Sequence, residues 1–115
     1  MTSTSSRSYG DPSGVARSLD VVGERWGLLV VRDLLPGPKE FPALLAGLPG
    51  ISPNVLSKRL RELVEFEVVR FRDLGAPDRV RIYELTDWGR ELEPALRALE
   101  QWGQRAPMPP TTERW

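Results

Sequence analysis

The residues best equipped for recognition chemistry lie in one part of this 115-residue chain. Asn54, Lys58 and Arg61 follow one another at intervals of four and three, with Ser57 between them and Ser52 just before. On a helix that spacing puts Asn54, Lys58 and Arg61 on one face and Ser57 at its flank. Such a face presents several hydrogen-bond donors to a surface of acceptors. Asn pairs an adenine edge, Arg or Lys pairs a guanine, and Ser suits a base or a phosphate. Glu65 is the one acid on that face, at its C-terminal end. A second basic set follows, Arg70, Arg72, Arg79 and Arg81. Arginines of that kind hold phosphates or enter a narrow minor groove.

Other chemistries are excluded by what the chain does not contain. It has no Cys and no His, hence no disulfide, thiol nucleophile, zinc–thiolate site, imidazole base or His-ligated metal. The carboxylates Glu91 and Glu93 have no partner base, and Gly47-Leu48-Pro49-Gly50 carries no Lys at phosphate-loop spacing. Neither an enzyme, nor a cofactor, nor a metal is expected. Met1 to Gly10 has no apolar core of the signal-peptide kind, and the apolar run Leu28–Val31 is far short of the roughly 20 residues a bilayer requires. The expected location is cytoplasmic, with no membrane partner.

Elements must position these donors, and Gly and Pro punctuate them. Residues 1–8 read as a disordered N-terminal tail and 106–115 as a Pro-rich C-terminal tail. Ser13 caps a first helix over Val15–Val22, stopped by Gly23. A second helix is expected over Glu24–Leu35, with Trp26, Leu29, Val30 and Leu34 inward. Phe41–Leu48 reads as two turns of helix, Pro49-Gly50-Ile51 as a turn, and Ser52-Pro53 as a cap followed by proline at the first helical position. The helix it starts runs to Glu65 and buries Leu56, Leu60, Leu63 and Val64. Val68–Arg72 and Arg79–Leu85 then predict a hairpin, with Arg70 and Arg72 on its outer face. In the second strand Val80 and Ile82 differ in parity from Tyr83 and Leu85, which calls for a bulge or a later start. Thr86 caps a last helix to Gln104, with a kink expected at Pro94.

Helix, tight turn, helix and hairpin, in that order, describe a mainly α fold with a β-hairpin wing, the winged helix-turn-helix, here over residues 9–105. Arg25-Trp26-Gly27-Leu28-Leu29-Val30-Val31-Arg32-Asp33-Leu34-Leu35, Gly47 through Ser57, and Tyr83 through Leu92 resemble the HxlR family of winged helix-turn-helix transcription regulators. Trp102-Gly103 fits the same pattern. The resemblance implies a homodimer joined through N- and C-terminal helices and a double-stranded DNA partner. It also implies that Ser13 stands where many members carry a sensing Cys, so thiol-based sensing is not expected.

The expected reading is therefore a sequence-specific DNA-binding regulator acting on a palindromic operator. Leu92, Leu96, Leu99 and Trp102 would form the dimer seam. Trp26, Trp88 and Trp102 would either anchor packing or, at the dimer junction, line a pocket for an aromatic or apolar effector. A winged-helix module that binds only protein is the rival from another class. The 16 basic and 16 acidic residues speak against a nucleic-acid binder at first, yet residues 49–83 hold seven basic against five acidic and residues 84–115 four against six. The neutral total conceals a mild separation of charge.

Overall fold

The computed structural model describes residues 8–107. Apart from Ser8, Ala106 and Pro107, the two expected tails lie outside the described residues. Ser13 caps α1 (Gly14–Val22), its Oγ accepting from the Ala16 amide at 3.2 Å while its own amide donates to Asp11 Oδ1 at 2.8 Å. Gly23 closes the helix with a bond from its amide to the Leu19 carbonyl.

The second helix begins later than its apolar spacing predicts. α2 spans Gly27–Leu34, and Trp26 precedes it in the left-handed region at φ 79°. A helix from Glu24 would commit the Arg25 carbonyl to an intrahelical bond, whereas here Arg59 Nε donates to that carbonyl at 2.9 Å. The buried face shifts accordingly to Val30, Val31 and Leu34, and Leu29 is exposed. Gly27 has a steric reason, since a Cβ there would lie 2.8 Å from the Val22 carbonyl oxygen.

α3 (Phe41–Ala46) ends two residues before the predicted limit, yet Leu48 still reaches the core. Gly50, at φ 95°, makes the turn into α4 (Pro53–Glu65). Ser52 Oγ accepts from the Val55 amide at 3.2 Å, satisfying one of the first-turn donors, and Pro53 needs none. Leu56, Leu60 and Leu63 are buried against α2, α3 and the base of the hairpin; Val64 is only half-buried.

The hairpin is β1 (Val69–Asp73) and β2 (Arg81–Leu85), antiparallel and without a bulge: the second strand simply starts at Arg81. Val69 faces Leu85, Phe71 faces Tyr83 and Arg70 faces Glu84. Lys39 adds a third edge, its amide and carbonyl both bonding to Tyr83 at 3.0 and 2.8 Å. The architecture is a winged helix-turn-helix, mostly helical with a two-stranded wing.

The expected single C-terminal helix is instead two. α5 (Asp87–Arg90) stops, Glu91 and Leu92 turn, and α6 (Glu93–Gln104) restarts with Pro94 in its first turn. Proline cannot bond back to the Arg90 carbonyl, and at a helix start it loses nothing by that. Leu92 and Leu96 pack partly on the core, but no residue of α6 is buried. Among the described residues no helix is long and apolar enough to cross a membrane.

α5 is clamped to the hairpin base. Thr86 Oγ1 accepts from the Gly89 amide at 3.0 Å and donates to the Glu67 carbonyl at 2.7 Å. A Cβ on Gly89 would stand 2.2 Å from the Val68 carbonyl oxygen. Gly89→Ala is therefore expected to lower stability by about 1–3 kcal/mol, as overpacking against backbone does. Gly103→Ala, where the added methyl meets nothing within 4 Å, should not. Urea unfolding of the two variants checks this, and a Gly89→Ala protein as stable as the parent would mean that α5 is not seated on Val68.

Candidate nucleic-acid interface

With three leucines of α4 in the core, its opposite face has to be solvent-facing. Asn54, Lys58 and Arg61 are exposed there, Ser57 is half-buried and Ser52 is exposed at the cap. None of Asn54, Lys58 and Arg61 has an ion pair or a side-chain hydrogen bond within the described residues. Their donors are thus uncommitted. The neighbouring Arg59 is fully engaged, pairing with Glu62 at 2.6 Å and Glu24 at 3.7 Å besides its bond to the Arg25 carbonyl. Glu65 lies exposed at the far end of the helix.

The four arginines expected to act together on the wing are divided by the register. Arg70 and Arg72 share one face with Glu84: Arg70 Nε donates to Glu84 Oε2 at 2.9 Å and Arg72 Nη1 to the same oxygen at 3.4 Å. Arg81 lies on the other face with Phe71 and Tyr83, whose ring centroids are 5.1 Å apart, and its Nε is 3.8 Å from Asp73 Oδ2. Arg79 is in the connecting loop at φ 54°. So Arg70 and Arg72 form one cationic pair, and Arg79 and Arg81 are not part of it.

Glu84 is the residue that sequence reasoning missed. Strand parity would have found it, because a bulge-free hairpin puts residue 84 across from residue 70. It is 7% exposed although both arginines that meet it remain at least half-exposed. The hydrogen bond from Arg70 holds its carboxyl below the usual glutamate value. The Arg70 charge and the Arg72 contact add to this, and burial opposes it.

Within one chain the three tryptophans stand in separate surroundings. Trp26 has its indole beside Gly50 and the Arg25 guanidinium 5.6 Å from its ring centre. An open cleft of about 430 Å³ between α1 and α5 is lined by Trp88 and Leu92 together with Arg17, Val21, Val22 and Val68. Neither Trp26 nor Trp102 lines it. Trp102 is 66% and Leu99 48% exposed on α6, and Val15 and Leu19 are exposed on α1. Among the described residues no group of three or more acids could hold a metal ion.

The sequence pattern of the HxlR-like helix-turn-helix family matches residues 21–110. YvaP of Bacillus subtilis (strain 168), described as an uncharacterized HTH-type transcriptional regulator, is 42% identical over 87 residues, covering 75% of this chain and 80% of that protein. MT3179 of Mycobacterium tuberculosis (strain CDC 1551 / Oshkosh), described in the same words, is 40% identical over 89 residues. That match spans 77% of this chain and 56% of the longer protein. Among solved structures, the reduced form of the transcriptional regulator YodB from B. subtilis aligns with a TM-score of 0.71 at 30% identity, covering 77% of this chain and 87% of that one.

The Arg70–Glu84 contact has a pH signature. A carboxyl whose folded pKa is depressed contributes stability that is complete above its unfolded value and is lost as pH falls through the folded one. The stability difference between the parent and Glu84→Gln should hold steady from neutrality down to about the ordinary value of 4.5 and shrink below it. Urea unfolding across that range is the check. A difference that does not change with acid would mean that the carboxylate charge contributes nothing.

Proposed function

The chain belongs to the HxlR-like helix-turn-helix family, and from that premise we propose that it is a DNA-binding transcriptional regulator acting as a homodimer on a two-fold symmetric operator. The observation that carries this reading is the uncommitted donor face of α4, which is set on a tight turn and followed at once by a basic hairpin. That is the arrangement in which a recognition helix enters the major groove. Asn54 and Arg61 take base edges, Lys58 a guanine or a phosphate, and Ser52 and Ser57 the adjoining backbone. Arg70 and Arg72 hold phosphate beside the groove, and Arg79 and Arg81 reach flanking DNA from the tip of the wing.

Dimerisation is supported by the apolar side chains that a single chain leaves in water. Leu99 and Trp102 on α6, with Val15 and Leu19 on α1, are too apolar to be neutral surface. A two-fold axis through α1 and α6 buries them and sets the recognition helices about 34–36 Å apart, or a multiple of that. The function is thus regulation through binding and not catalysis.

Two outcomes are expected. Selection from randomised duplexes should yield an imperfect palindrome. Arg61→Ala should weaken binding to that site by about 10- to 100-fold and relax preference at one base pair of each half. A selection that enriches no motif would favour a module that binds only protein. Trp102→Glu should keep its fold and sediment as a monomer at concentrations where the parent is a dimer; a dimeric Trp102→Glu protein would remove α6 from the seam.

A further inference from the structure

The hairpin places an acid where a phosphate-gripping wing would do better, electrostatically, with none. Glu84 is buried to 7% exposure on the same face as Arg70 and Arg72, and both guanidinium groups donate to a single one of its oxygens, Oε2. Arg70 uses only Nε for this, so both of its Nη groups stay free, and more than half of its side chain is in water. Arg72 likewise uses one Nη. Glu84 is fixed by the backbone ladder, opposite Arg70 and two residues from the Lys39 bridge partner's neighbour Ile82. The ladder fixes its Cα opposite Arg70, and a buried carboxylate that lost both arginines would be costly.

We propose that Glu84 is a specificity-determining residue of the DNA contact, a resident anion that aims Arg70 and Arg72 outward in parallel and cancels one of their two charges. The inference rests on the reading that the wing meets DNA. Affinity for any phosphate backbone grows with the number of phosphates neutralised, whatever the sequence. A wing that carries a net charge of one instead of two contributes less to that indiscriminate binding, while its free Nη groups still hold the register on a true site. Discrimination then comes from α4, whose donors are paired with no acid. The lowered pKa of Glu84 agrees with a carboxylate that stays charged between the two arginines throughout the physiological range.

The test is the salt dependence of binding to a random-sequence duplex, measured for the parent, Arg70→Ala/Arg72→Ala, Glu84→Gln and the triple variant. Each neutralised phosphate adds about 0.9 to the slope of log affinity against log salt. Removing both arginines should flatten the slope by about one such step per protomer in the parent and by about two steps when residue 84 is Gln. Glu84→Gln alone should bind the random duplex roughly eightfold tighter per protomer, or about 60-fold for the dimer, at 0.1 M salt, with a smaller gain on the selected site. That gain should vanish in the triple variant. The inference is overturned if Glu84→Gln leaves slope and affinity unchanged, or if its gain persists without the arginines. If Glu84→Gln does not fold, the parent and the double-alanine variant decide: a loss of one step supports the inference and a loss of two overturns it. If removing the arginines changes the slope in neither background, the wing does not touch DNA, and the functional reading fails instead.

Discussion

Burial of one face of α4 is the constraint from which the rest of the molecule follows. Leu56, Leu60 and Leu63 are essentially inaccessible, and each contributes on the order of 2–3 kcal/mol by leaving water. Once they are fixed in the core, the rotation of the helix about its axis is fixed too. Asn54, Lys58 and Arg61 then have no choice but the outer surface. The same burial settles where β1 begins, because Val68 and Val69 continue the core directly after the helix and the left-handed Glu67 makes the turn between them. Recognition face and wing are therefore consequences of one apolar stripe.

Electrostatics works within that frame and mostly to restrain. Arg59, the one inward-held arginine of α4, is paired with Glu24, Glu62 and the Arg25 carbonyl, and the exposed Arg70 and Arg72 share Glu84. Among the described residues, Lys58 and Arg61 on the outer face of α4 are in no ion pair. The neutral formal charge of the chain is thus not an even mixture. Acids pair with Arg59 and with the wing arginines, whereas Asn54, Lys58 and Arg61 are paired with none and Glu65 lies at the far end of their face.

How much of this the sequence shows depends on how local the cause is. Ser52-Pro53 marks the start of α4 correctly because a cap and a prolyl N1 act within one turn, and Ser13 does the same for α1, with a hydroxyl cap where the family resemblance places a sensing Cys. The hairpin and its two strands are visible from alternation. The start of α2 is not, because it depends on Arg59, 34 residues away in sequence, taking the Arg25 carbonyl. Pro94 is visible as a disruption, but that it begins a new helix and does not kink an old one shows only once α5 is seen to end at Arg90. For the candidate site, the donor face of α4 is legible residue by residue from helical spacing. The partition of the wing arginines is not, since it turns on a register in which one residue of slip exchanges the two faces.

The Lys39–Tyr83 bridge has a consequence for the cost of recognition. A lone two-stranded hairpin is only marginally ordered in water, but here the middle of β2 is bonded on its other edge to the segment between α2 and α3. At Tyr83 β2 is flanked on both sides, and that much of the wing's ordering entropy is settled when the chain folds. A partner meeting this surface encounters a preorganised template and gives up little free energy to rigidify it.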